Sequence, residues 1–161
     1  MTCRDRLKTY FAEQGVVYEE QRHQLAFTAQ ETAASEHIPA KTVAKSVVAW
    51  TDGEPALLVL PAASRVDLAR VRQALPAKEV RLATEPELSE FFPDCEVGAI
   101  PPFGNLYDVS VYVDKTLTED ETIVFPAGTH TMTLRVKYSD FARLVHPVIV
   151  EIAQQRAVSA S

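Results

Sequence analysis

The sequence predicts a single α+β domain in which strands and helices are mixed. The chain has 161 residues, of which 47% are apolar and 24% charged, an ordinary balance for one globular domain. Segments with helical and with strand periodicity follow one another without strict β-α-β alternation, which favours a mixed α+β sheet protein. Because no repeat, low-complexity segment or composition change divides the chain, we expect one domain over residues 1–161.

The N-terminal residues predict a helix followed by a strand. Leu7 and Phe11 lie one helical turn apart, and Gly15 stands where a helix often ends, so we expect a helix over residues 3–14. Residues 16–20 are expected to form a short strand.

A second helix is expected after Thr28. Thr28 and Glu31 match the capping-box spacing, and an alanine-rich stretch follows them. Pro39 disfavours helical angles at the preceding residue, so this helix should end near residue 37.

A hairpin is predicted in the middle of the chain. Residues 46–50 and 56–60 are aliphatic or β-branched runs, and Asp52-Gly53 between them is a typical hairpin turn. Neither run alternates cleanly, which indicates strands buried on both faces.

Two short helices and a strand should follow the hairpin. Leu68, Val71 and Leu75 predict a third helix that Pro76 ends, and residues 80–82 read as a strand. A second capping box, Thr84 with Glu87, predicts a helix that Pro93 stops.

The C-terminal part predicts three strands and a helix. The strands are expected over residues 109–113, 122–125 and 131–136. Ser139 is expected to cap the helix, and residues 149–155 to add a last amphipathic turn.

Charge and cysteine content exclude several classes of protein. Sixteen Lys and Arg against 22 Asp and Glu give a net charge of −6, which argues against broad coating of nucleic acid but leaves room for one local basic pocket. Cys3 and Cys95 form no disulfide framework, the N-terminus is too charged for a signal peptide, and no apolar run could span a membrane. We therefore expect a cytoplasmic protein without a membrane partner.

The usual motifs for phosphate loops, zinc proteases and serine hydrolases are absent from the sequence. The four histidines, at positions 23, 37, 130 and 146, do not have metal-ligand spacing. We expect no metal and no cofactor.

Three segments are candidates for a functional site. Lys45 leads directly into an apolar strand, where a desolvated ammonium favours an anionic partner such as a phosphate, although a lysine snorkelling at a strand edge fits as well. The proline- and glycine-rich stretch Gly98 to Gly104 could hold backbone N–H groups against a carbonyl, or serve as a rigid surface connection. The turn at residues 127–130 could place a histidine at a pocket, or be a plain hairpin turn.

The order of these segments resembles one protein family. Val-Ala-Lys45-Ser, then Gly98-x-x-x-Pro102, then Ala-Gly-Thr-His130 follow one another as in the YbaK/EbsC-like proteins and the related editing insertion of bacterial prolyl-tRNA synthetases. The likeness covers about residues 25–144. Further matches are Thr28-Ala-Gln-Glu-Thr-Ala33, Leu60-Pro-Ala-Ala-Ser-Arg-Val-Asp-Leu68, Val80-Arg-Leu-Ala83 and Val111-Tyr-Val-Asp114.

This resemblance implies a fold and an activity. The expected fold has a central mixed, partly barrel-like sheet flanked by helices. The expected activity is that of a free-standing, metal-independent deacylase that hydrolyses the ester of a mischarged aminoacyl-tRNA at its 3′-terminal CCA end. The resemblance also implies an aminoacyl-tRNA synthetase as a further partner and no binding to DNA.

The resemblance also implies roles for single residues. Lys45 would be the catalytic residue, acting as an electrostatic clamp on the terminal nucleotide or as a desolvated base, while the Gly98–Pro102 backbone orients the ester carbonyl and water attacks with help from the substrate's 2′-hydroxyl. The substrate-binding residues would be Phe27, Thr28, Ser46, Gly98, Ala99, Ile100, Pro101, Pro102, Phe103, Gly104, Gly128, Thr129 and His130.

The sequence departs from the family pattern at Pro101 and at Gly128-Thr129-His130, so the family's amino-acid specificity does not carry over. We expect Phe27, Thr28, Ile100 and His130 to shape the amino-acid pocket.

A local positive patch is expected beside the site, formed by Lys41, Lys45, Arg65, Arg135 and Lys137. Two alternatives stay open at this point: a non-catalytic module that binds an aminoacyl-adenosine-like ligand or a synthetase, and a purely structural interaction domain.

Overall fold

The computed structural model of the protein describes residues 2–22 and 42–154. Within this part of the chain, two β-sheets and four α-helices make up a mixed α+β domain, so the predicted fold class is confirmed. The helix predicted after Thr28 lies outside the described residues.

The elements follow one another in nearly the predicted order. The helices are α1 (Cys3–Gln14), α2 (Leu68–Ala74), α3 (Glu85–Phe91) and α4 (Tyr138–Val145). The strands are β1 (Tyr18–Arg22), β2 (Ala44–Thr51), β3 (Glu54–Pro61), β4 (Val80–Leu82), β5 (Ser110–Asp114), β6 (Thr122–Pro126), β7 (Met132–Lys137) and β8 (Val148–Val150). Two 3₁₀ turns cover Gly104–Tyr107 and Lys115–Glu119.

The first helix shows how local sequence sets the boundaries. Thr2 and Asp5 form a reciprocal capping box at its start, and Gly15 ends it in the left-handed conformation, with φ of 68°. The N–H of Val16 then donates to the carbonyl of Phe11 over 2.9 Å. Because this C-cap uses the two residues after the helix, β1 begins two residues later than predicted.

The larger sheet has the strand order β4-β2-β3-β5-β8. The pairs β4–β2 and β2–β3 are antiparallel, whereas β3–β5 and β5–β8 are parallel. The predicted hairpin is confirmed: Asp52 and Gly53 have φ of 50° and 85°, the two positive values that a type I′ turn requires. Residues 56–61 of β3 are all buried, as expected for a central strand covered on both faces.

The smaller sheet has the order β1-β7-β6 and is fully antiparallel. A single parallel bridge between Val43 and Val124 joins it to the larger sheet just before β2 begins. The strands are therefore divided between two linked sheets and do not form one continuous sheet.

Apolar side chains cover both faces of the larger sheet. The main cluster lies between the two sheets and α1, and it includes Phe11, Val48, Ile100 and Phe125. A second cluster on the outer face joins β2 and β3 to α2, with Val71 and Leu75 at its centre. These two clusters define which way each side chain of β2 points.

The prediction of an amphipathic turn over residues 149–155 is wrong. The chain forms strand β8 there, paired in parallel with β5. The Asp114 carboxylate then accepts the backbone N–H groups of Ile152 and Ala153 over 2.8 and 2.9 Å. A partner far away in the sequence, which no local pattern reveals, thus determines the conformation of this segment.

The prediction that Ser139 caps the last helix is also wrong. The N-cap is Lys137, the last residue of β7, and its side chain makes no capping hydrogen bond. The first helical N–H, that of Tyr138, donates instead to the carbonyl of Glu121 over 2.9 Å. A neighbouring chain segment thereby replaces the side-chain cap.

Within the described ranges, no helix combines the length and the apolar composition that crossing a lipid bilayer requires.

Candidate functional site

The proline- and glycine-rich loop is exposed only at its start. Glu96, Val97 and Gly98 are exposed, whereas residues 99–104 are all buried. The loop is therefore a segment whose first residues face solvent and whose remainder is embedded in the protein.

Phe103 fixes the buried end of this loop. Its ring is fully buried and lies 5.1 Å from the ring of Phe11, 5.5 Å from that of Phe125 and 5.6 Å from that of Phe141, measured between centroids. Next to it, a Cβ on Gly104 would lie 2.6 Å from the carbonyl oxygen of Val109, so only glycine fits there. The side chain of Phe103 thus anchors the loop in the core.

The loop and the turn after β6 are bound to each other. The N–H of Glu96 donates to the carbonyl of Gly128 over 2.8 Å, and the N–H of Gly128 donates to the carbonyl of Ala99 over 2.9 Å. The structure therefore brings together two of the three segments that the sequence singled out.

His130 adds a side-chain contact to this junction. Its Nε2 lies 2.8 Å from the carbonyl oxygen of Val97, which can only accept, so Nε2 carries the proton and donates. The backbone N–H of His130 donates to the Glu96 carboxylate over 3.4 Å. Since the imidazole holds the exposed start of the loop, His130 is placed to position the loop backbone.

Two glycines allow the close approach of these segments. Gly98 has φ of 84°, and a Cβ there would lie 3.3 Å from Cε1 of His130. Gly128 has φ of 89°, and a Cβ there would lie 2.7 Å from the Cβ of Cys3. Both positions combine a left-handed backbone with a crowded surrounding, which only glycine tolerates well.

Lys45 lies near the start of β2, paired with Leu60 of β3. The side chain is half-buried, and burial lowers the pKa of its ammonium below the usual value, with a smaller lowering from the nearby charge of Arg65. No carboxylate of residues 2–22 or 42–154 forms an ion pair with it. A bound anion would stabilise a half-buried cation that lies beside a second cation.

Ser46 points to the other face of β2. Its neighbours at alternate positions, Ala44 and Val48, belong to the main cluster, which also contains Ile100, whereas Val47 and Ala49 belong to the outer cluster. The alternation of the strand thus places Ser46 on the face of the loop, and the side chain of Lys45 on the opposite face. The Ser46 hydroxyl is buried and has no hydrogen-bond partner among the described residues.

The backbone brings the first residues of β2 toward the region of the loop, although the Lys45 side chain lies on the opposite face of the strand. Val43 bridges Val124 in parallel, so β2 and β6 leave this point in the same direction. Three residues after Val124 the chain enters the turn that holds the loop. The first residues of β2 therefore lie beside the strand that leads into this turn.

The remaining predicted residues have different outcomes. Phe27, Thr28 and Lys41 lie outside the described residues. Arg135 of the expected positive patch pairs with Glu19 on β1, with 3.4 Å between Nη1 and Oε2. Sequence reasoning missed Glu96 and Val97 as partners of His130, and their position directly before Gly98 is the only signal that could have indicated them.

A cavity of about 490 Å³ lies elsewhere, at the β2–β3 turn, and is lined by Trp50, Asp52, Gly53, Glu79, Val80, Arg81 and Glu87. It is at the opposite end of β2 from Lys45. Among residues 2–22 and 42–154, no three His, Cys, Asp or Glu side chains are grouped so that they could hold a metal ion.

Solved structures with the same fold support this description. The hypothetical protein APE2540 superposes with a TM-score of 0.83 at 19% identity, over 92% of this chain and 99% of its own. A proposed trans-editing enzyme for prolyl tRNA synthetase gives a TM-score of 0.82 at 19% identity, over 96% of this chain and 99% of its own. A scaffold protein used for epitope backbone grafting gives 0.82 at 16% identity, over 97% and 99%. At these identities the likeness shows the shared fold.

The sequence itself matches a family model. The model for the aminoacyl-tRNA editing domain covers residues 23–144, which is most of the chain. This range contains β2 with Lys45, the loop at residues 98–104 and the turn that carries His130. The chain therefore belongs to the aminoacyl-tRNA editing domain family.

Proposed function

We propose that the protein is an aminoacyl-tRNA deacylase that acts in trans on the 3′-terminal ester of a mischarged tRNA, without a metal ion. The observation that carries this proposal is the environment of Lys45, a half-buried ammonium whose pKa is lowered by burial and by the charge of Arg65. The phosphate of a terminal nucleotide supplies the anion that this environment favours. Membership of the editing family supplies the class of substrate.

In this proposal the loop acts on the ester. The backbone N–H groups of Gly98 and Ile100 orient and polarise the carbonyl, while the hydrogen bond of His130 to Val97 keeps the exposed start of the loop in place. Water attacks the carbonyl carbon, and the proton that it loses passes through the neighbouring 2′-hydroxyl of the terminal ribose. Lys45, on the opposite face of β2 from Ser46, acts as an electrostatic clamp on the terminal phosphate and not as the base.

The pocket for the amino acid would be formed by Ile100 and His130 together with Phe27 and Thr28. Ser46 would lie at its floor, since its hydroxyl is buried on the loop side of β2. Such a pocket separates small side chains by only about 1–3 kcal/mol, so its specificity has to be measured.

The test is Lys45→Ala on a panel of tRNAs carrying alanyl, cysteinyl, seryl or threonyl esters. We expect deacylation to fall at least about 100-fold on whichever ester the wild type hydrolyses, which corresponds to losing one charged contact with the substrate. Because the variant removes a half-buried cation that has no carboxylate partner among the described residues, we expect its melting temperature to stay equal or to rise.

Lys115→Ala is the matched control, since Lys115 is an exposed lysine in a 3₁₀ turn. We expect it to retain full activity. Full activity of Lys45→Ala would overturn the role of Lys45, and a wild type that binds and protects the ester without releasing free amino acid would identify a binding module instead.

A further inference from the structure

The two cysteines, far apart in the sequence, lie together in the fold. Cys3 is the first residue of α1 and is almost fully buried, and Cys95 is a half-buried residue of the segment after α3. The backbone N–H of Cys3 donates to the carbonyl of Asp94, the residue before Cys95, over 3.4 Å. Both thiols are reduced.

Cys3 packs against the backbone on both sides of Cys95. Its N–H donates to Asp94, and a Cβ on Gly128, whose carbonyl accepts the N–H of Glu96, would lie 3.1 Å from its Sγ. Sγ of Cys95 lies 3.4 Å from the hydroxyl oxygen of Tyr107. The two cysteines are therefore neighbours inside the protein.

Charged groups hold this cluster in place. The Tyr107 hydroxyl donates to the Asp94 carboxylate over 3.1 Å, and Asp94 pairs with Arg6 over 3.3 Å. The Arg6 guanidinium lies over the Tyr107 ring, 4.4 Å from its centroid, and donates to the carbonyl of Leu106 over 2.6 Å. These four contacts fix Tyr107 and Arg6 and so hold the surroundings of the Cys95 thiol in place.

We propose that Cys3 and Cys95 form a redox-active pair that closes to an intramolecular disulfide when the protein meets hydrogen peroxide. The proposal is independent of the deacylase activity, since it rests on the position of Cys3 beside Cys95 alone.

The environment assigns different roles to the two sulfur atoms. The hydrogen bond from Cys95 lowers the pKa of the Cys3 thiol, while the same interaction raises the pKa of Cys95. The position of Cys3 at the N-terminus of a twelve-residue helix also favours its thiolate. Cys3 is thus the nucleophile and Cys95 the residue that resolves the intermediate.

The chemistry balances in two steps. The Cys3 thiolate attacks one peroxide oxygen, the O–O bond breaks, and the departing hydroxide takes up a proton to leave as water, so that a sulfenic acid remains on Cys3. The Cys95 sulfur then attacks the Cys3 sulfur, the S–O bond breaks, and a second water leaves with the thiol proton. Two thiols lose two electrons and peroxide gains them.

The disulfide would act on the part of the fold that carries the candidate site. Glu96 and Val97, the partners of His130, directly follow Cys95, and Cys3 lies against Gly128. A covalent bond between α1 and this segment would thereby restrain both sides of the loop–turn junction.

The experiment exposes the reduced full-length protein to a small excess of hydrogen peroxide and then digests it with trypsin without reduction. We expect a linked pair of peptides, one ending at Arg4 and one spanning residues 82–115, and an intact mass lowered by two hydrogen atoms. We also expect a melting temperature raised by about 5 °C or more, because the cross-link closes a long loop, and full reversal by dithiothreitol.

Single variants separate the two roles. Cys95→Ser should accumulate one added oxygen on Cys3, whereas Cys3→Ser should keep its thiol under the same peroxide dose. Oxygen addition to both cysteines of the wild type without the linked peptides, or a covalent dimer on a non-reducing gel in place of the internal link, would overturn the proposal. The wild-type peptide map decides the matter even if a variant does not fold.

Discussion

Gly128 shows at the scale of one residue how tightly the candidate site is built. Its φ of 89° disfavours any side chain, and a Cβ would also lie 2.7 Å from the Cβ and 3.1 Å from the Sγ of Cys3. We expect Gly128→Ala to lower the free energy of unfolding by about 2–4 kcal/mol, about half of it from the backbone conformation and half from the contact with α1. Urea unfolding followed by circular dichroism measures this change.

Gly53→Ala is the matched control for that experiment. Gly53 has nearly the same φ, 85°, but a Cβ there would meet nothing within 4 Å. We expect a loss of about 1–2 kcal/mol, from the backbone alone. An equal loss for the two variants would mean that Cys3 moves aside at no cost, and would contradict the tight junction described here.

At the residue scale, the sequence indicates candidate site residues where one residue is unusual at its position, and their roles stay predictions. Lys45, Gly98 and Gly128 could be selected from the sequence because a lysine before an apolar strand and glycines in a rigid loop are unusual. The contact of Cys3 with Cys95 could not be predicted, since the sequence contains no signal that α1 packs against the segment after α3.

Asp114 is the residue on which a whole element depends. Strand β8 has only three residues, and its first two are exposed, so pairing with β5 alone holds it weakly. Burial raises the pKa of the Asp114 carboxyl, but hydrogen bonds from Thr116, Ile152 and Ala153 lower it by a larger amount. The pKa of this carboxyl therefore lies below its usual value. These bonds connect the end of β5 with the segment after β8.

We therefore expect Asp114→Asn to lower the free energy of unfolding by about 1–3 kcal/mol near neutral pH, because the amide replaces an acceptor that four donors share. A carboxyl whose pKa is lowered in the folded state adds stability above its unfolded pKa of about 3.9, and this stability is lost as the pH falls through the lower folded pKa. The difference in the free energy of unfolding between wild type and variant should thus be largest above about pH 5 and shrink below about pH 3.

Asp108→Asn is the control for this element, because Asp108 is exposed and its left-handed backbone, with φ of 54°, suits asparagine equally well. We expect that variant and the wild type to have the same free energy of unfolding. A pH-independent gap for Asp114→Asn would show that the charge of the carboxylate has no part in holding β8.

Elements were predicted well where their own residues determine them. The helix over Cys3–Gln14 and the hairpin at Asp52-Gly53 follow from local spacing and turn chemistry. Strand β8 was predicted as a helical turn because Val148, Ile149 and Val150 are apolar in either state, and only the edge of β5 selects the strand. The way in which the two sheets are joined likewise depends on the Val43–Val124 bridge, which no local pattern contains.

At the scale of the whole molecule, the net charge of −6 limits how the protein can meet a nucleic acid. Cations of the expected patch are partly engaged elsewhere, since Arg135 pairs with Glu19 on β1. Lys45 and Arg65 remain near each other without a carboxylate partner among the described residues. The favourable field for a phosphate is therefore local and small.

This charge distribution predicts that tRNA binds weakly and that its binding depends only shallowly on salt concentration. If only two or three terminal phosphates are contacted, the logarithm of the association constant should fall with the logarithm of salt concentration with a slope of about −1.4 to −2.7. Because the contacts lie at the 3′ end, a short acceptor-stem hairpin ending in CCA should show the same slope as a full-length tRNA, measured by fluorescence anisotropy in increasing potassium chloride.

Lys45→Ala should reduce the slope by about one for both RNAs, whereas Lys115→Ala should leave it unchanged. A much steeper slope for the full-length tRNA than for the hairpin would place the main contacts on the tRNA body, which an acidic surface of this kind cannot hold.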